Sequence, residues 1–224
     1  MSECVNYNGS AQTRGRTLDY AAGVYDVLSP PMTFYQEQRL GRRAIELLDL
    51  KGNEKVIDIG CGTGSLTIEI AQKVIHDGMA VGIDAAAKMI RLARKKAIDC
   101  KQVQFDIAAA ERLGYADESF DGAVSTFFFH HIDFELKVAA LNEMWRVLKK
   151  GGRAVIVDVD IPTNLFGKIC AWSGYLLFWQ DQIKENINGK FREAMAASKF
   201  SGYELVSTHM GYISIFILSK RSVK

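Results

Sequence analysis

The residues of this chain best placed to do chemistry are three aspartates, a run of alternating glycines and a pair of histidines. Asp58 precedes Gly60, Gly62 and Gly64 in the stretch Asp58-Ile59-Gly60-Cys61-Gly62-Thr63-Gly64. Glycines at that spacing permit a tight turn and let a ligand approach the backbone closely. Such a turn often cradles phosphate at a helix N-terminus, but here a carboxylate at position 58 would repel a pyrophosphate. The third glycine is also out of register for G-x-G-x-x-G, because position 65 is Ser65, and no Walker lysine follows. Asp84 stands 24 positions after Gly60 (84 minus 60), close to the spacing of about 20 at which a carboxylate ending a second strand accepts both ribose hydroxyls. The other reading of Asp84 is the N-cap of a helix beginning near Ala86. Asp106 meets a third strand end, either as a ligand contact or as a capping carboxylate. His130 and His131 follow Phe127-Phe128-Phe129, and either could accept a proton or simply hydrogen-bond the backbone at a helix start. Two adjacent histidines without further ligands do not make a metal site.

A cofactor with no phosphate and a cationic amino-acid end suits Asp58 better than a dinucleotide does, and S-adenosylmethionine (SAM) has that composition. On these residues the chain resembles the class I SAM-dependent methyltransferases, whose first motif is an acidic residue followed by G-x-G-x-G. The resemblance implies a Rossmann-like α/β fold: a seven-stranded, mostly parallel sheet with helices on both faces and a C-terminal antiparallel hairpin. It implies that Asp84 holds the ribose and that Asp106, with the backbone amide of Ile107, recognises the adenine edge. By the same resemblance the cofactor site takes in Tyr25, Cys61, Ala85, Met89, Ser125 and Phe127, and a Tyr25-Asp26 segment folds over the cofactor as a lid. Asp117-Glu118-Ser119-Phe120-Asp121, leading into Gly122 to Thr126, is similar to the S-F-D-x-V entry to the fourth strand in these enzymes. The Tyr25-Asp26 pair, the two histidines and an aromatic insertion resemble the ubiquinone/menaquinone-type methyltransferases in particular; phospholipid N-methyltransferases and other small-molecule methyltransferases fit nearly as well.

Hydrophobic periodicity supplies the elements that must position these residues. Val56, Ile57 and Ile59 form a β-branched run suited to a buried parallel strand. Leu66, Ile70, Ala71 and Val74 then recur at helical spacing. Upstream, Leu40, Ala44, Leu47 and Leu48 mark one face of a helix from Gln36 to Leu50. Met79 to Ile83 reads as the second strand, Ala86 to Ala97 as a helix, Val103 to Phe105 as the third strand and Gly122 to Thr126 as the fourth. Phe134 to Leu148 reads as a helix stopped by Lys149-Lys150-Gly151-Gly152, and Arg153 to Val159 as the fifth strand. Two strands, Tyr203 to His209 and Tyr212 to Ser219, are joined through Gly211. The histidines thus leave the carboxyl end of strand four, where open α/β sheets place ligands.

Length and composition bound the rest. At 224 residues and 48% hydrophobic, the chain is long enough for one α/β domain. Residues 1–19 read as a flexible tail and residues 20–224 as the methyltransferase domain. Residues 161–190 form an insertion that serves as a substrate lid. A net charge of +2 does not argue for a polyanionic partner, and neither an N-P-P-Y-like motif nor a Pro-Cys nucleophile is present, so nucleic acid is not implied. Four widely spaced cysteines and a polar start without a signal-peptide core suit a cytoplasmic protein. From Leu165 to Trp179 the chain is apolar and aromatic but too short to span a bilayer. Its alternatives are a buried helix, or a wall of a lipophilic substrate pocket in peripheral contact with a membrane.

These readings converge on transfer of a methyl group from SAM to a small acceptor, lipophilic in character and either quinone precursor-like or phospholipid-like. His130 and His131 are the candidate catalytic residues. A protein that binds SAM or a related nucleoside without turnover, and a methyltransferase acting on a polar small molecule, are the competing readings. The sequence leaves the acceptor, the methylated atom and the oligomeric state open.

Overall fold

The computed structural model describes residues 9–15, 36–178, 180–200 and 202–221. Seven strands form one sheet in the order β3-β2-β1-β4-β5-β7-β6. They are β1 Lys55–Ile59, β2 Met79–Asp84, β3 Val103–Ile107, β4 Phe120–Thr126, β5 Leu148–Val159, β6 Glu204–His209 and β7 Ile213–Ser219. β1 to β5 are parallel, while β7 runs antiparallel between β5 and β6. The helices described are α1 Gln36–Leu48, α2 Ser65–Ala71, α3 Ala87–Lys96, α4 Phe134–Val147, α5 Leu165–Phe178, α6 Asp181–Ile187 and α7 Lys190–Ala197. A 3-10 turn, Phe129–His131, precedes α4.

Strands covered on both faces must be apolar on both, and β1 and β5 are. Along β5, Ala154 and Ile156 join the layer under α4 and α7, whereas Val155 and Val157 join the layer under α1. Phe191 of α7 fixes the first layer, stacking on Phe129 at 4.8 Å and meeting Phe216 of β7 edge to face at 5.8 Å. The second layer collects Leu40, Ala44 and Leu48 of α1 with Ile70 of α2 and Ile183 of α6.

Two stretches differ from the sequence expectation. Lys149 to Gly152 are not the last turn of a helix. Leu148 is extended (φ −69, ψ 139) and fully buried, so α4 stops before it and β5 begins there. The register with β4 then shifts between Phe120↔Leu148 and Gly122↔Arg153. Gly151 (φ +82) turns the excursion, and Gly151 N and Gly152 O both bond the backbone of Lys220. At the other end, residues 9–15 lie against the sheet's carboxyl edge: Ala11 N donates to Ala85 O, and Ser10 Oγ accepts from Ala87 N.

Candidate active site at the carboxyl edge of the sheet

The glycine loop leaves β1 and folds on itself. Gly60, Gly62 and Gly64 all hold positive φ (+74, +53 and +80), which only glycine adopts without strain. A Cβ on Gly60 would meet the Phe128 ring at 2.5 Å, and one on Gly64 the Phe105 ring at 2.6 Å. Gly62 has open space beside it. The amides of Gly60 and Cys61 both donate to Ile83 O, that of Gly62 donates to Asp84 Oδ2, and that of Gly64 to Cys61 O. Four loop N–H groups are therefore already used, so the loop is not an open anion nest.

Beside it lies a shallow open cleft walled by Gly60, Asp84, Ala85, Ala108, Ala110 and Phe128. Its remaining lining comes from Thr13, Gly15, Ile83, Glu111 and Ile132, so among the described residues it presents two carboxylates and no cation. Asp84 is not the N-cap of α3, a position held by Ala86 with no side-chain cap bond; its Oδ1 accepts from Ala86 N at 2.8 Å, and its Oδ2 accepts from Gly62 N at 3.1 Å and so anchors the glycine loop. Asp58 does not reach the cavity. It is 1% exposed beneath the loop, accepting from Thr67 Oγ1 at 2.6 Å. Burial, opposed by that bond and reinforced by Asp84, pushes its carboxyl up to about 7. A ligand with cationic and hydroxyl groups and an apolar base fits this acidic, alanine-walled cavity; a pyrophosphate does not.

Several expected contacts lie elsewhere. Met89 is 1% exposed and packs with Ala86 and Leu92, inside the core. Ser125 is fully buried, its hydroxyl donating to Ile59 O at 2.8 Å and pinning β4 to β1. Asp106 accepts from Tyr115 Oη and Gln104 Nε2, each at 2.6 Å, because alternation along β3 turns it away from Phe105. Burial and Asp106 together push the Tyr115 phenol up. Ile107 packs under Phe105 and Ile90. The cavity wall begins one residue later, at Ala108. The Cys61 thiol is half-buried, its pKa pushed up chiefly by desolvation, and it donates to Gly62 O. Phe127, at φ +54, packs into the α1 layer, and that left-handed turn redirects the chain so that Phe128 covers Gly60. Tyr25 and the Tyr25-Asp26 lid lie outside the described residues.

The histidines sit on the 3-10 turn, two and three residues past Phe128. His130 Nδ1 lies 2.7 Å from Asp158 Oδ1 of β5. Asp158 is fully buried, and it also accepts from Phe129 N (2.7 Å) and Val159 N (2.7 Å). His131 Nδ1 is 3.1 Å from Gln180 Oε1, and the two imidazoles are 4.0 Å apart. Below them Lys137 is wholly buried, donating to Ile132 O and to Glu185 Oε2 (2.8 Å). Desolvation lowers its pKa against the pull of Glu185, Asp158 and Asp133. Asp158 carried no signal in the sequence beyond a polar residue within an apolar strand.

The insertion folds as α5 and α6. Trp172 and Tyr175 meet edge to face at 5.7 Å and pack on the α1 layer, whereas Leu165, Phe166, Ile169 and Leu176 are exposed. The aromatic stretch therefore divides between a packed and an open face. Phe178 and Trp179 are not among the side chains described.

The sheet order, with an antiparallel β7 between β5 and β6, and the acid-preceded glycine loop at the switch between β1 and β4 define a class I SAM-dependent methyltransferase. Residues 50–200 match the family described as a methyltransferase domain, and the chain belongs to that family, in its ubiquinone/menaquinone type. It is 31% identical over 183 residues to the ubiquinone/menaquinone biosynthesis C-methyltransferase UbiE of Citrifermentans bemidjiense, covering 80% of this chain and 72% of that one. It is 28% identical over 217 residues to the demethylmenaquinone methyltransferase of Staphylococcus saprophyticus, covering 85% and 92%. Among solved structures, a putative SAM-dependent methyltransferase of Methanococcus maripaludis shares the fold with a TM-score of 0.67 at 19% identity, covering 96% of this chain and 99% of that one. The protein is a methyltransferase with SAM as its methyl donor.

Proposed function

We propose that the acceptor is a small lipophilic aromatic of the quinone-precursor kind, bound where β4 and β5 end and under α5. The observation that carries this reading is the apolar character of α5, which starts just past β5 and has Trp172 and Tyr175 on its packed face and no acidic residue from Leu165 to Phe178. Such a wall favours apolar ligands, because each buried CH₂ contributes about 0.8 kcal/mol, whereas sugar hydroxyls would lose water without gaining partners. The names of the relatives, which act in quinone biosynthesis, support it.

SAM supplies an activated methyl when bound; the chain's part is to bind, align and exclude water. In this reading Gly60 and Gly62 give close backbone approach, Asp84 accepts the ribose hydroxyls, and Ala85, Ala108, Ala110 and Phe128 enclose the base. His130 and His131 border the acceptor side. Peripheral contact with a membrane belongs to the same reading: no helix among the described residues is long and apolar enough to cross a bilayer, yet the open face of α5 joins Leu165, Ile169 and Leu176 to the exposed Lys168.

The test is turnover of labelled SAM with hydroxylated aromatics bearing prenyl tails of increasing length, beside phosphatidylethanolamine and a tail-less catechol. kcat/KM is expected to rise with tail length until the wall is filled. Equal or better turnover of the tail-less acceptor overturns the lipophilic reading.

A further inference from the structure

We infer that His130 and Asp158 form a base dyad, with Asp158 the positioning residue, and that the dyad takes a proton from a hydroxyl on the acceptor. The inference rests on the lipophilic aromatic reading above and narrows it to acceptors with an ionisable hydroxyl.

The argument begins at Asp158. It is fully buried, and three donors converge on its two oxygens: Phe129 N, Val159 N and His130 Nδ1, each at 2.7 Å. A carboxylate only accepts, so it fixes the neutral imidazole with hydrogen on Nδ1 and a lone pair on Nε2. Nε2 has no protein partner among the described residues, and it is not sealed in. Among the described residues the buried side-chain N or O atom left unpaired is Asn186 Oδ1 and not His130 Nε2, and the His130 side chain keeps 13% of its surface exposed. A lone pair with no partner among the described residues thus stands on the turn that also carries Phe128 to the cavity wall.

His131 is not equivalent. Its Nδ1 faces a neutral amide, Gln180 Oε1, whereas the carboxylate on His130 Nδ1 stabilises the imidazolium that forms when a base accepts a proton. The groups around the dyad are the His131 ring at 4.0 Å, Lys137 from α4, and Gln180 and Glu185 from the α6 region. Lys137 is itself held by Glu185 and Ile132 O, so Asp158 remains the carboxylate that meets His130.

In the step, the acceptor O–H bond breaks, its proton goes to His130 Nε2, and its electron pair stays on the acceptor. The acceptor then forms its new bond to the methyl carbon through that oxygen or a conjugated ring carbon, while the C–S electrons remain on sulfur. The imidazolium returns its proton to solvent. A base is useful here only if the acceptor must be ionised first, which is why the dyad points to phenol-type hydroxyls and not to amines.

Two measurements test it. The first reads the ring nitrogens by ¹⁵N NMR in the free protein: His130 is expected as the Nδ1–H tautomer, and Asp158→Asn is expected to lose that preference. A mixed tautomer in the folded wild type overturns the dyad. The second compares wild type with His130→Gln on two prenylated phenols, one un-ionised and one nitro-substituted and already ionised at the assay pH. The variant is expected to lose about 100-fold in kcat on the first and at least tenfold less on the second, with unchanged SAM affinity by calorimetry. Equal losses on both phenols make His130 merely structural and overturn the inference while leaving the acceptor reading intact. No turnover of either phenol by the wild type overturns the acceptor reading, and the inference with it. His130→Gln keeps the test valid if Asp158→Asn does not fold.

Discussion

A carboxyl buried as deeply as Asp58 weakens the fold whenever it is charged. Its pKa is 3.8 in an ordinary setting and about 7 here, raised by desolvation. Below the ordinary value both folded and unfolded states are protonated and nothing is lost. As the pH rises toward 7 the unfolded chain releases the proton first, so the folded state loses stability across that window, by an amount of the order of 2–4 kcal/mol. Asp58→Asn keeps an acceptor for Thr67 Oγ1 but cannot ionise. Urea denaturation of both proteins from pH 4 to 8 should show the wild type losing ground to the variant up to about pH 7 and running parallel above it. A constant difference across the range would mean that Asp58 titrates alike in the folded and unfolded chains. The sequence carried the glycine loop and Asp84, because both follow from spacing along adjacent strands. It did not carry Asp158, which meets a histidine 28 positions earlier only because β4 and β5 pair in register. Nor did it place Asp106, whose direction depends on the alternation of an edge strand.

Among the elements, periodicity located nearly every strand and helix, since the pattern of one buried face or two is written in consecutive residues. The central place of β7 was also legible in principle: Ile213 to Phe216 are buried without a break, whereas β6 begins exposed. What could not be read was how the insertion docks. Gly167 of α5 sits directly on Gly211 in the β6–β7 turn, while Asn164 Oδ1 accepts from Gly167 N at 2.7 Å. A Cβ at 167 would overlap the Gly211 carbonyl, so two glycines far apart in sequence set the height of α5 above the hairpin. Gly167→Val should lift α5 from the hairpin and destabilise the protein by roughly 1–3 kcal/mol, the usual cost of overpacking, seen as a lower urea midpoint. An unchanged midpoint would show that α5 does not bear on the turn.

Across the whole molecule, the cavity beside the glycine loop, the histidine turn and the start of α5 all gather at the carboxyl edge of one sheet. At that edge stands an apolar stripe that the described residues do not cover: Leu165 (75% exposed), Ile169 (60%) and Leu176 (63%) share one side of α5, with Phe166 (53%) beside them. A monomeric surface seldom leaves such a helix face in water without use. The stripe carries Lys168 and no acid, which suits an interface of apolar chains below anionic headgroups, and an acceptor with a long apolar tail would reside there too. The expected outcome is that the protein cosediments with phosphatidylglycerol-containing vesicles and that Ile169→Glu with Leu176→Glu weakens this more than tenfold, since each change removes apolar burial and adds a charge to desolvate. The same double variant should lose rate on a long-tailed acceptor embedded in vesicles while keeping its rate on a short-tailed, dispersed one. Undiminished vesicle binding, or equal losses on both acceptors, would place the stripe outside any membrane contact.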